Sequence, residues 1–323
     1  KDSNIVVAMA SDLVTLDPAD TNWTLDGGIQ RLIMDGMFGF DKDGKVIDLL
    51  ATGYKANSDA TQFTITLRKD VTFTDGTPWN ADAAIANLNK LSNQTLGLRR
   101  NGLFAMVDHT EKTDDSTIVV HLKYPFGAFI NTLAHPAAVM MSPKQIAAGE
   151  KACASNPVGT GQYKFVEWKT GQYLKLELNP DWWGYDAKAS GGKALVAANA
   201  GFSTITFKPV AEAATRVSMV QSGDADFIFP VPSESYSSLK SNSSVKAESN
   251  ESIVVYYLNI NTKKKNLSDP KVRQAINYAI DRNAYVTVVK NGLASVATSQ
   301  IAPKVQYYKK EAALTYNVSK AKQ

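Results

Sequence analysis

Apolar positions along this chain recur with two different periods, and the changes of period mark its elements. The run NIVVAMA at 4–10 is continuously apolar and predicts a short buried strand, which Leu16, Asp17 and Pro18 break into a loop through Asn22, Trp23 and Thr24. Ile29, Leu32, Ile33 and Met37 then follow at helical spacing, and FGF at 38–40 with Asp43 and Gly44 predicts a strand entering a tight hairpin. Strict alternation places Phe63, Ile65 and Leu67 on one face of a further strand. Asn80 is suited to cap a helix whose stripe is Ala84, Ile85, Leu88 and Leu91.

Downstream, the pattern predicts a strand at 117–122, a helix at 126–133 and a hairpin of strands at 163–168 and 173–178. The Gly-, Ala- and Ser-rich stretch 184–201 reads as a surface excursion. A strand at 204–209, a helix at 211–222 ending on Gly223, and a strand at 225–229 make a strand–helix–strand unit, which favours an α/β fold. Residues 253–260 predict another strand, with Tyr256 and Tyr257 on opposite faces in sheet packing. Asp269 and Pro270 open the clearest helix, with Val272, Ala275, Ile276, Ala279 and Ile280 on one side.

The length of 323 residues favours two domains, and a composition 44% hydrophobic with 20% charged residues excludes global disorder. No apolar run approaches the ~18–20 residues of a membrane-spanning helix. Net charge is 35 − 31 = +4. The basic residues are interspersed with acids except at Lys263, Lys264 and Lys265, which read as a solvated loop, so no nucleic-acid partner is expected.

Cys153 is the single cysteine and cannot form an intramolecular disulfide, and the 3 histidines, far apart in sequence, offer no metal-ligand spacing. Motifs of covalent chemistry fail on order or completeness. SxxK at 237–240 follows KTG at 169–171 instead of preceding it, a second SxxK occurs at 268–271, and no SDN lies between. GTG at 159–161 lacks a P-loop lysine and the third glycine of a dinucleotide fingerprint, so a tight turn is the better reading. HExxH, paired cysteines and GxSxG are absent. The expectation is a protein with no catalytic residue, no cofactor and no metal site.

Five blocks in fixed order resemble one family, the extracytoplasmic solute-binding proteins of peptide-type ABC importers, family 5. They are ATGYKANSDATQFTITLRKDVTF at 51–73 with TDGTP after it, NPVGTGQYKF at 156–165, WWG at 182–184, TRVSMVQSGDADF at 215–227 and DPKVRQAINYAIDR at 269–282. AFINTLAHPAAVMMSP at 128–143 and the segment 208–232 look most similar to glutathione-binding members. The resemblance implies an α/β, periplasmic-binding-protein-like fold of type II, peptide-binding cluster, with two lobes and an extra subdomain inserted in lobe I. Residues 1–47 and 170–260 would form lobe I, 48–169 the inserted subdomain, and 261–323 the start of an incomplete lobe II.

It further implies a monomeric, non-enzymatic receptor, periplasmic or tethered at the outer face of the cytoplasmic membrane. Such a receptor binds glutathione or a short peptide and delivers it to ABC permease subunits; the alternative on this scaffold is a nickel or metal chelate, and a sensory module is a third possibility. The chain starts without a leader-like segment or a lipid-anchor cysteine, as a processed or trimmed form would, and the polar stretch 311–323 stops without a cap, which suggests truncation. The acidic group that such proteins use for a peptide ammonium lies in a later part of the family's chain.

The same resemblance points to candidate ligand residues at 22–24 and 135, and two adjacent arginines at a helix start, against the dipole preference, add 99–101. Asn22, Trp23 and Thr24 occupy the first-lobe contact loop, where Trp23 offers an aromatic wall and its neighbours offer donors and acceptors. Arg99 and Arg100, with Asn101 beside them, present guanidinium forks suited to the carboxylates of glutathione; the competing reading is a solvated pair near acids such as Asp108. His135 either donates to a ligand or is a hydrogen-bonded, partly buried histidine.

Overall fold

The computed structural model describes residues 3–185, 195, 201–305 and 308–323. Most of the stretch 184–201 lies outside the described residues. The chain divides into two compact units, Lys1–Phe229 and Pro230–Gln323.

In chain order the first unit comprises β1 (Asn4–Met9), α1 (Thr24–Ile33), β2 (Phe38–Phe40), β3 (Val46–Asp48), β4 (Ala51–Ala56) and β5 (Gln62–Leu67). It continues with α2 (Ala81–Ser92), β6 (Val107–Asp114), β7 (Thr117–Leu122), α3 (Phe129–Leu133), α4 (Pro143–Ala147) and α5 (Glu150–Ser155). β8 (Tyr163–Lys169), β9 (Tyr173–Leu178), β10 (Thr204–Pro209), α6 (Ala213–Ser222) and β11 (Phe227–Phe229) complete it.

A five-stranded mixed sheet has the order β11-β1-β10-β9-β8. β10 and β11 both run parallel to β1, so the crossover through α6 steps over β1 instead of joining adjacent strands. Gly223 ends α6 in the left-handed region at φ 84°, where the lack of a Cβ removes the steric cost. Ile5, Met9, Leu174, Leu176, Ile205 and Phe207 of this sheet pack with Ile29, Ile33 and Met34 in one core.

The second sheet is antiparallel, order β4-β5-β7-β6. β5 follows its alternation residue by residue: Phe63, Ile65 and Leu67 are buried, and Gln62, Thr64 and Thr66 are exposed. Asn80 Oδ1 accepts from Ala83 N at 3.0 Å, and the capped α2 lays Ala84, Leu88 and Leu91 into the core beneath that sheet. The hairpin β2–β3 turns through Gly44 at φ 78°.

The expected boundary between Lys169 and Thr170 falls inside the β8–β9 hairpin, whose pairing from Tyr163↔Leu178 to Lys169↔Tyr173 keeps both strands in the five-stranded sheet. The other expected boundary, after Ile260, also differs from the division at Phe229/Pro230. The reason is local: 253–260 forms no strand, and Ile253, Val254, Tyr256, Tyr257 and Leu258 are exposed. Apolar alternation makes a strand only where another strand completes its ladder. Tyr256 and Tyr257 therefore do not pack in a sheet; the Tyr256 ring lies 4.3 Å from Lys290 Nζ.

The second unit carries α7 (Tyr236–Ser241) and α8 (Pro270–Ala279). Asp269 caps α8 by accepting from Lys271 N at 2.8 Å, with Pro270 in the first turn. Its predicted stripe is half-buried at Val272, Ala275 and Ile276 and exposed at Ala279 and Ile280.

The turn 159–161 acts by close approach to the end of α1. A Cβ on Gly159 would lie 2.2 Å from Ile33 O, and one on Gly161 2.5 Å from Leu32 O, while Gly161 N donates to Ile33 O at 2.9 Å. Because backbone atoms block the space, Gly159→Ala is expected to cost about 3 kcal/mol or more, read as a lower urea midpoint with unchanged slope.

Candidate functional site

The loop after β1 is held by its own polar side chains before any other element touches it. Asp17 accepts from Ala19 N at 2.9 Å and so starts the turn Pro18–Asp20. Thr21 Oγ1 donates to Asp26 Oδ2 at 2.8 Å and accepts from Trp23 N at 3.1 Å, which fixes the entry into α1. Lys90 Nζ from α2 sits 2.9 Å from Asp17 Oδ2 and also pairs with Glu150 of α5. Burial alone would lower the Lys90 ammonium, but the two carboxylates overcome it and hold the group above its ordinary value. Cys153 nearby is buried, and burial pushes its thiol up to about 11, far from a reactive thiolate.

Five of the seven candidate residues, Asn22, Trp23, Thr24, Arg99 and Arg100, lie on this loop or bond to it. Arg100 N donates to Ala19 O at 2.9 Å, and Arg100 Nε donates to Thr21 O at 2.7 Å, so the half-buried guanidinium braces the loop. Arg99 is exposed, with its N 3.3 Å and its Nε 3.9 Å from Asp20 Oδ1. Trp23 is 56% exposed and supplies no side-chain cap; Asn22 and Thr24 flank it in solvent, Thr24 as the first residue of α1. An indole so placed gains little from packing, which leaves its faces open to a partner.

Asn101 is positioned differently. It is buried, its Nδ2 donates to Lys90 O at 3.1 Å and Leu91 O at 2.7 Å, and its Oδ1 accepts from Leu98 N at 2.8 Å. The amide is spent on closing the end of α2, so Asn101 sets the course of Arg99 and Arg100 and does not itself face outward.

His135 caps the turn Pro136–Ala138, its Nδ1 accepting from Ala137 N at 3.0 Å. That bond assigns the proton of the neutral ring to Nε2. Burial, reinforced by the charges of Arg100 and Arg31, lowers its pKa below the ordinary histidine value. The segment carrying it is fixed from α2, since Asn87 Oδ1 accepts from Met141 N and Asn87 Nδ2 donates to Met141 O, both at 2.8 Å.

Asp35, to which no motif reading pointed, follows α1. Its Oδ2 accepts from Thr160 Oγ1 at 3.0 Å, Trp182 Nε1 at 3.1 Å and Trp183 Nε1 at 2.7 Å. Burial pushes this carboxyl up, against the three donors that favour the charged form. A recess of about 80 Å³ beside it is lined by Arg31, Met34, Phe38, Leu49 and Ala134. Ligand pockets for drug-sized molecules run about 300–1,000 Å³, so this recess holds no peptide.

Two outcomes follow. Because the native pKa of His135 is depressed, its contribution to stability is present above the unfolded value of about 6.5 and is lost as pH falls through the lower native value. Melting temperatures near pH 7.5 and pH 5 should therefore fall further apart in the wild type than in His135→Asn, which keeps a capping oxygen. Lys90→Met strands two carboxylates, and chemical denaturation should show a loss of about 3–5 kcal/mol.

The family model for bacterial extracellular solute-binding proteins, family 5 Middle, matches residues 45–323. The glutathione-binding protein GsiB of Pectobacterium atrosepticum is 38% identical over 318 residues, covering 98% of this chain and 60% of the relative. The protein of the same name from Salmonella typhimurium is 37% identical over 320 residues, covering 99% and 60%. Among solved structures, the oligopeptide-binding protein AppA from Bacillus subtilis, in complex with a nonapeptide, superposes with a TM-score of 0.83 at 25% identity, over 100% of this chain and 64% of that one. A dipeptide-binding protein from Pseudoalteromonas sp. SM9913, in complex with Met-Leu, gives a TM-score of 0.86 at 21% identity, over 99% and 65%.

The chain thus spans about 60% of the length of the curated relatives it matches. Over that span it has the type II periplasmic peptide-binding fold expected from its sequence blocks. On the match across residues 45–323, the chain belongs to the bacterial extracellular solute-binding proteins of family 5.

Proposed function

We propose that the protein carrying this chain is a monomeric, non-enzymatic receptor, periplasmic or tethered at the outer face of the cytoplasmic membrane. It captures glutathione or a short peptide and delivers it to an ABC permease. The observation that supports this most is an open indole and an arginine pair set on one braced loop, with His135 near enough to feel the charge of Arg100. The relatives named as glutathione-binding proteins, at 37% and 38% identity, favour glutathione within that class. Among the described residues, no helix is long and apolar enough to cross a membrane.

In this reading each group has a separate task. Arg100 spends Nε on Thr21 O, so its Nη groups are the part that reaches a ligand carboxylate, with Arg99 adding charge at the rim. His135, with Nδ1 occupied, donates from Nε2 to a carbonyl or carboxylate. Trp23 lies along the ligand backbone, and Asn22 and Thr24 supply donors and acceptors. Asn101 positions the arginines from within. The ligand biases a conformational equilibrium through contacts that differ between its states, and no bond is made or broken.

Calorimetry on a protein of the relatives' full length that carries this chain tests the reading, with reduced glutathione, a plain dipeptide and a nickel–histidine chelate titrated separately. Saturable glutathione binding, weakened about tenfold or more in a folded Arg100→Ala variant, is the expected result. Binding of the chelate alone would replace the ligand class, and silence from all three would remove the receptor role.

A further inference from the structure

Two of the three histidines, His109 and His121, are twelve positions apart in sequence and directly opposite in space. β6 and β7 pair antiparallel with His109↔His121 in register. Their imidazoles stack with centroids 4.3 Å apart and planes 6° from parallel. Glu111, two residues beyond His109 on β6, brings its carboxylate to the same face: Oε1 is 3.4 Å from His109 Nε2 and Oε2 is 3.4 Å from His121 Nε2. One donor atom from each of the three residues lies within 4.8 Å of the others.

The outer nitrogens and their partners give the cluster its chemical sense. His109 Nδ1 lies 2.8 Å from Asp108 Oδ2, the carboxylate–imidazole pairing that keeps the proton on Nδ1 and the lone pair on Nε2. His121 Nδ1 lies 3.1 Å from Gln62 Nε2 on the neighbouring β5. In this orientation the amide donates to Nδ1; a half turn of the amide would present Oε1 instead, and the second ring would then also carry its proton on Nδ1 and its lone pair on Nε2. His121 Nε2 is buried at the atomic level and has no hydrogen-bond partner, although a carboxylate oxygen stands 3.4 Å away. A buried nitrogen left unbonded and facing a shared carboxylate is the group a cation would satisfy.

We propose that His109, Glu111 and His121 form a binding site for one divalent transition-metal ion of the zinc class. Two imidazole nitrogens and one carboxylate suit zinc, nickel or copper, whereas calcium and magnesium require oxygen donors throughout. Three protein ligands leave a coordination position to solvent. The ion would staple β6 to β7 on the face of the four-stranded sheet, and the site takes the free ion, independently of any ligand held at the loop of Asn22–Thr24.

Zinc and cobalt titrations of the chelator-stripped chain test this directly. One equivalent of zinc should bind, cobalt should develop ligand-field absorption at the same stoichiometry, and zinc should raise the melting temperature of the wild type. Affinity should fall at least about tenfold in His121→Ala and Glu111→Gln, and by about tenfold in Asp108→Asn, which touches the metal only through His109. Glu177→Gln, on the other sheet, should bind as the wild type does. If His121→Ala fails to fold, the more exposed His109→Gln carries the same test. Absence of stoichiometric zinc uptake, or uptake that survives the loss of either histidine, overturns the proposal.

Discussion

One carboxylate oxygen, Oδ2 of Asp35, accepts hydrogen bonds from Thr160, Trp182 and Trp183, and the backbone O of the same residue accepts from Met140 N at 2.9 Å. Three stretches of chain, distant in sequence, are thereby tied to the end of α1. The two glycines beside Thr160 let the 159–161 turn come within hydrogen-bond distance of that helix end. Trp183 belongs to the core under the four-stranded sheet, and Ile33 to the core under the five-stranded one, so this junction is where the two cores of the first unit meet. Burial works against the charged form of this carboxyl, and the three donors, each of which would be left unsatisfied without it, offset part of that cost.

The loop that carries the candidate ligand residues depends on the same economy of polar groups. Asp17, Thr21 and Asp26 satisfy backbone N–H groups locally, while Lys90 and Arg100 reach in from other elements to complete the bracing. In the proposed reading, a backbone braced in this way lowers the entropy lost when a ligand is gripped. Trp23 stays outside this bracing. Its exposure is the feature of the loop that the fold's own stability does not explain.

Motif blocks that carry a resemblance need not carry function. GTG and WWG, prominent in the sequence, both serve the Asp35 junction, and neither touches the loop of Asn22, Trp23 and Thr24 in any described hydrogen bond. Asn101 illustrates the converse. It stands next to two arginines in sequence, yet its amide is consumed inside the fold, because the chain turns inward for a single residue to close α2.

The sequence by itself determined what depends on neighbouring residues. Period-two alternation placed β5, β8 and β9; capping and helical spacing placed α2 and α8; and five ordered blocks identified the family. Each of these signals is complete within about a dozen residues. The tertiary structure decided what depends on residues far apart. The strand pattern at 253–260 finds no ladder partner, and β1 enters between β10 and β11. Asp35 acquires its role only when 160 and 182–183 arrive, and linear spacing that spoke against a metal site conceals His109 facing His121 across a strand pair. Hydrogen bonds and cross-strand contacts act between atoms, whatever number of residues separates them along the chain, so no local pattern encodes them.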